Sequence, residues 1–123
     1  MTKQRTAWFE TLTVRDVPRV GGKNASLGEM VRTLKDKGVR VPDGFATTAA
    51  AFREYVAANG LEAELRARIE ALKSGKASLH ETGEAIRRLF LDAEFPEPIA
   101  EAIKEAYQEL SRRSRQSEVS VAV

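Results

Sequence analysis

Apolar residues recur at helical spacing through the second half of this chain, in runs cut apart by glycine and proline, and this limits it to a largely helical architecture. Leu61, Leu65, Ile69 and Leu72 form one stripe, stopped by Ser74-Gly75. Ala85, Ile86, Leu89 and Phe90 mark a second, opened by Ser78-Leu79-His80-Glu81 and broken at Pro96-Glu97-Pro98. The serine and glutamate of that opening have the spacing of a capping box. Ile99, Ile103, Ala106, Tyr107 and Leu110 mark a third, for which Pro98 is a good first-turn residue. A shorter helix carrying Phe52, Tyr55 and Val56 is capped by Thr47 or Thr48 and ends before Gly60. Residues three or four apart share a helix face, so each run must bury its stripe against another element.

The first half is mixed. Residues 7–14, rich in aromatic and β-branched types, read as a strand broken by Asp16-Val17-Pro18. Leu27, Met30, Val31 and Leu34 predict a helix over about 24–37 that stops at Gly38. Residues 39–41 read as a short extended piece ended by the turn Pro42-Asp43-Gly44, where proline presets φ and glycine permits a positive one. Phe45-Ala46-Thr47 reads as a second short strand. Residues 119–123 alternate apolar with polar or small types, the pattern of a half-buried strand, and the chain halts within it. That halt reads as a truncation, so the chain is expected to be the first part of a larger protein. The expected fold is α+β and mostly helical, with about five helices and a few short strands.

A length of 123 residues suits one domain with a real core. There is no cysteine, which excludes a disulfide scaffold and a thiolate metal site. The N-terminus leads into no apolar leader segment, and no apolar run approaches the ~20 residues that span a bilayer. A cytoplasmic location without membrane contact is therefore expected. Net charge is only +2, and the one dense basic cluster, Arg112-Arg113-Ser114-Arg115, follows a helix, where cations suit the dipole. It reads as a solvated helix end, and nucleic acid is not an expected partner.

The stretch Val20-Gly21-Gly22-Lys23-Asn24-Ala25-Ser26-Leu27-Gly28-Glu29-Met30 is where chemistry is expected. Two glycines and a lysine stand where a loop becomes a helix, with no acid in the first turn. A lysine at the positive end of a helix is disfavoured by a few tenths to about 1 kcal/mol unless an anion sits nearby. Neighbouring helices begin with acids that suit the dipole, such as Glu62, Glu81 and Glu97. Free backbone N–H groups, permissive glycines and a cation together suit a phosphate. The spacing is not that of a Walker A loop, which needs glycine where Val17 stands and Ser or Thr where Asn24 stands. Two readings stay open on the residues alone: a phosphate site at Gly21, Gly22 and Lys23, or a tight turn with Lys23 in water.

Other candidates are weaker. His80 is the only histidine and sits in a first helical turn with no cysteine or second histidine to complete a metal site. No catalytic residue and no metal ligand is assigned. The aromatic residues Trp8, Phe9, Phe45, Phe52, Tyr55, Phe90 and Tyr107 are scattered at core-like positions.

The glycine-lysine stretch, followed by Gly38-Val39-Arg40-Val41-Pro42-Asp43-Gly44-Phe45-Ala46-Thr47-Thr48, resembles the phosphoenolpyruvate synthase (pyruvate, water dikinase) family. The similarity is to the N-terminal part of its ATP-grasp-like nucleotide-binding domain, shared with pyruvate phosphate dikinases and rifampin phosphotransferases, and covers essentially the whole chain. The resemblance implies that residues 1–123 are the N-terminal portion of such a domain. It implies a reaction in which ATP, pyruvate and water give AMP, phosphoenolpyruvate and phosphate with Mg²⁺, through a phosphohistidine on a separate domain. Lys23 matches the family lysine that contacts ATP phosphates, and Gly21 and Gly22 match the glycines that admit them. His80 does not match the phosphorylated histidine. The Arg-Ser-Ser segment, the Mg²⁺-binding acids, the phosphohistidine domain and the pyruvate-binding barrel are missing, so the chain by itself is expected to be inactive. Its implied partners are ATP, pyruvate in the complete enzyme, and the remainder of that enzyme. The alternatives are a stand-alone helical protein-interaction module, and a fragment of a related dikinase or rifampin phosphotransferase.

Overall fold

A computed structural model describes residues 4–123; Met1, Thr2 and Lys3, part of the segment read above for a leader, lie outside the described residues. Among the described residues the elements run β1 (Thr6–Trp8), single 3-10 turns at Phe9–Thr11 and Val14–Asp16, α1 (Val17–Val20), α2 (Gly22–Lys35), β2 (Phe45–Thr47), α3 (Ala49–Ala58), α4 (Glu62–Lys73), α5 (Leu79–Asp92) and α6 (Glu97–Arg113). The mostly helical α+β expectation holds, with six helices where about five were expected. The chain forms two compact units, residues 4–52 with 97–123, and residues 53–96.

In the first unit β1 and β2 pair antiparallel, with Thr6 opposite Thr47, Ala7 opposite Ala46 and Trp8 opposite Phe45. The strand expected over residues 7–14 is thus only three residues long. After Trp8 the chain turns, and Phe9 donates its N–H to Gly44 O at 3.0 Å. Leu12, expected in that strand, is instead fully buried at the end of a 3-10 turn. Its composition marked burial correctly, but only Phe45–Thr47 offers a ladder. Ala7, Leu12, Val20, Ala25 and Ala46 form the core, with Phe9 packed against it.

Gly28 lets α2 lie on this core. A Cβ there would stand 2.6 Å from Leu12 Cβ and 2.7 Å from Leu12 O, so any side chain would lift the helix. Pro18, read above as a break, lies in the first turn of α1, where proline's missing N–H removes no intrahelical bond. Helix α2 begins at Gly22 and ends at Lys35, each bound two residues earlier than expected. Residues 39–41 adopt no regular structure. Thr48 caps α3: its Oγ1 accepts Ala51 N–H at 3.1 Å and donates to Gln4 O at 2.6 Å.

Helix α6 buries Ile99, Ala106, Leu110 and Ser111. Near its end Arg113 Nη1 reaches Asp43 Oδ2 at 3.1 Å and Glu10 Oε1 at 3.2 Å, while its Nε meets Glu109 Oε1 at 3.2 Å. The guanidinium carbon also stands 3.9 Å from the centre of the Trp8 ring. The basic cluster read as a solvated end therefore contains one fixed arginine. Residues 119–123 are not a strand, because no edge pairs with them among the described residues. Val119 instead accepts the Tyr107 hydroxyl at 2.7 Å through its carbonyl.

In the second unit α4 packs on α5. Tyr55 stacks on Phe90 and meets Phe95 edge-on, with ring centres 5.9 and 5.1 Å away. The Tyr55 hydroxyl donates to Phe90 O at 2.8 Å. The Asn59 side chain holds both backbone groups of Glu94, donating to its O at 2.8 Å and accepting from its N at 3.0 Å. Ser78 Oγ accepts Glu81 N–H at 3.1 Å, the serine half of the expected capping box. Leu91 and Phe95 are exposed, at 79% and 61%.

Candidate phosphate-binding loop

Helix α1 is one turn long because Gly21 ends it. Gly21 has φ +86° and ψ 163°, a conformation that L side chains rarely adopt, and it reverses the chain between α1 and α2. Its N–H still donates to Val17 O at 2.8 Å, and its carbonyl accepts Ala25 N–H at 3.1 Å. The loop is thereby closed on both sides by backbone bonds. Gly22, Lys23 and Asn24 form the first turn of α2, where N–H groups lack an intrahelical acceptor. No side chain caps that turn and no acid lies in it.

The space around the loop is open. A Cβ built on Gly21 or on Gly22 meets nothing within 4 Å. Gly21 is required by its φ, whereas nothing within the described chain requires glycine at position 22. Lys23 is exposed and has no ion-pair partner among the described residues. Asn24 turns back, its Nδ2 donating to Val20 O at 2.9 Å, which ties the first turn of α2 to the last residue of α1. Gly21, Gly22 and Lys23 thus stand together, exposed, at the uncapped start of α2.

The Glu29 carboxylate, on the next turns of α2, holds the approach to the loop. Its Oε1 accepts Val14 N–H at 3.0 Å and the Arg32 guanidinium at 2.6 Å. The Val14 amide first and Arg32 second hold this carboxyl below the usual carboxylate value, against a smaller opposing desolvation. Nothing in the local sequence pattern announces the Val14 bond, which links residues 15 apart.

Other features lie elsewhere. His80 is a surface residue, 3.7 Å from Glu84. No group of three or more His, Cys, Asp or Glu positioned for a metal ion stands among the described residues. A groove of about 560 Å³ is lined by Val31, Lys35, Arg40 and Pro42, among others; Gly21, Gly22 and Lys23 take no part in its walls. No described helix is long and apolar enough to cross a membrane.

Residues 17–123 match the family model described as the pyruvate phosphate dikinase, AMP/ATP-binding domain. The chain belongs to that family. The match begins at α1 and takes in the whole glycine-lysine loop. Among curated relatives, the chain is 45% identical over 124 residues to a phosphoenolpyruvate synthase of Neisseria meningitidis, covering all of this chain and 16% of the relative. It is 48% identical over 107 residues to that of a Synechocystis species, covering 86% of this chain and 13% of the relative. With that of Escherichia coli the identity is 41% over 105 residues, covering 85% and 13%. The chain thus spans between an eighth and a sixth of the length of these three relatives.

Proposed function

We propose that Gly21, Gly22 and Lys23 bind ATP phosphates and form one wall of the nucleotide site of a phosphoenolpyruvate synthase. In this reading residues 1–123 are the N-terminal portion of the ATP-binding domain, and the complete enzyme converts ATP, pyruvate and water to AMP, phosphoenolpyruvate and phosphate. The observation that carries it is the uncapped, acid-free start of α2 with a free lysine, in a member of an AMP/ATP-binding family.

The chemistry follows from the geometry. Phosphoryl transfer asks the protein chiefly to position the phosphates and to offset their charge. The first-turn amides of α2 supply fixed dipoles, and Gly22 leaves the backbone accessible to phosphate oxygens. Lys23 adds a full charge that reaches the phosphates by a charge-assisted hydrogen bond. Mg²⁺ supplies further neutralisation when ATP is bound. The described residues bring no acid cluster for it, so its ligands are expected from the remainder of the enzyme. The family match weighs against the stand-alone interaction module, which rests on exposed apolar residues such as Leu91 and Phe95.

The test is calorimetric titration of Mg-ATP into the full-length protein, with Lys23 and with Lys23→Ala. A hydrogen bond to a charged group contributes ~1.5–3 kcal/mol, so affinity is expected to fall roughly tenfold to a hundredfold. Equal affinities would sink the proposal.

A further inference from the structure

We infer that Glu29 is a positioning residue for the phosphate loop, acting through the segment from Val14 to Val20 that delivers Gly21. The inference rests on the reading of Gly21, Gly22 and Lys23 as phosphate ligands.

The delivering segment is a 3-10 turn, a one-turn helix and a glycine of positive φ in succession. Its other described hydrogen bonds are local. Thr13 N–H donates to Asp16 Oδ2 at 2.8 Å, Arg15 N–H to Thr13 Oγ1 at 3.1 Å, and Gly21 N–H to Val17 O at 2.8 Å. Such bonds fix the shape of the segment but not its place on α2. Three features fix its place. At one end Val20 is buried in the core and its carbonyl accepts Asn24 Nδ2 from the first turn of α2, and at the other the Val14 N–H is held by Glu29 from the body of the helix. Arg32, one turn further along α2, grips the same carboxylate oxygen and orients it. The consecutive amides of Thr13 and Val14 are thus both held by carboxylates, one within its own turn and one on α2.

Glu29 does not itself face the phosphates. It follows Lys23 by six residues, which in a regular helix is about 240° around the axis and about 9 Å along it. A carboxylate beside the phosphates would repel them; here the charge is spent on a backbone amide and an arginine. Its influence on the loop runs through the backbone, so removing it should loosen Gly21 and Lys23 without altering any phosphate ligand.

The test compares the full-length protein with its Glu29→Ala and Glu29→Gln variants by amide hydrogen exchange and by ¹⁵N relaxation. Exchange is read at Val14, Gly21 and Ala25, whose N–H groups are bonded, and order parameters at Gly22 and Lys23. The alanine variant is expected to speed exchange at all three amides about tenfold or more and to lower both order parameters. Exchange in α4 and α5 should stay unchanged. The glutamine variant keeps an oxygen for Val14 and should recover most of the protection at Gly21. Wild-type exchange at Gly21 in the alanine variant overturns the inference, as does acceleration spread evenly over the unit of residues 4–52 and 97–123, or a glutamine variant no better than alanine. Mg-ATP titration of the full-length protein carrying Lys23→Ala keeps the two proposals apart: unchanged affinity there refutes the phosphate reading and leaves the exchange result to judge Glu29.

Discussion

Gly28 is the point at which a single methyl group should disturb both the core and the loop. A Cβ built there falls 2.6 Å from Leu12 Cβ, 2.7 Å from Leu12 O and 3.0 Å from Leu12 C. Two of those three atoms are backbone, and Leu12 is fully buried, so neither side yields by rotating a side chain. Ordinary contact begins near 3.4 Å, so α2 must retreat by ~0.8 Å. Overpacking of this kind costs ~1–3 kcal/mol. The higher helix propensity of alanine returns ~1 kcal/mol. With backbone atoms opposing, the upper part of the overpacking range applies, and Gly28→Ala should destabilise by ~1–2 kcal/mol net. For a unit of this size that lowers the melting temperature by roughly 5–10 °C. Circular dichroism melts of the chain read it directly. Gly22→Ala is the control, because its Cβ meets nothing within 4 Å and its φ is not in the left-handed region; its stability should change by less than ~0.5 kcal/mol. A Gly28→Ala variant that melts at or above the wild type would refute the close-approach argument.

Two further perturbations test the supports of the loop and the sheet. Arg113→Lys keeps a charge but loses the planar stack on Trp8 and the simultaneous reach to Asp43, Glu10 and Glu109. It should cost about 1 kcal/mol and shift the emission of the single tryptophan, whereas a spectrum and melt identical to wild type would show that the cluster is passive. The Glu29 carboxyl has a lower pKa folded than unfolded. Its contribution is therefore complete above the unfolded value, near 4.5, and is lost as pH falls through the lower folded value. Glu29→Gln should flatten the part of the acid-denaturation curve below about pH 4.5, and an unchanged curve would contradict the Val14 bond as its cause.

Much of the architecture was legible because it is local. Helical periodicity located the runs that became α4, α5 and α6, Ser78 announced the start of α5, Thr48 was one of the two caps offered for α3, and Phe45–Thr47 is the strand its composition suggested. What failed depended on distant partners. Residues 7–14 and 119–123 both carry strand patterns, but a strand exists only where an edge accepts it, and β2 accepts just Thr6–Trp8. Asp16-Val17-Pro18, read as the break after the strand at 7–14, holds the start of α1 instead, with Pro18 in its first turn. Arg113 looked solvated because Glu10 and Asp43 lie 103 and 70 residues away in the sequence. For the candidate site, Gly21 and Lys23 were visible through turn and dipole chemistry. Glu29 was not, because its bond to Val14 follows from the tertiary fold and leaves no periodic trace.

The central claim is that ATP phosphates sit on the start of α2, and amide chemical shifts test it most directly. With the full-length protein isotopically labelled, Mg-ATP is added while the signals of Gly21, Gly22, Lys23 and Asn24 are followed. These first-turn amides are predicted to move furthest among the residues of this chain, and Lys23→Ala should reduce the movement. Saturable ATP binding that leaves them in place, with shifts gathered instead around the groove at Val31, Lys35 and Pro42, would contradict the account.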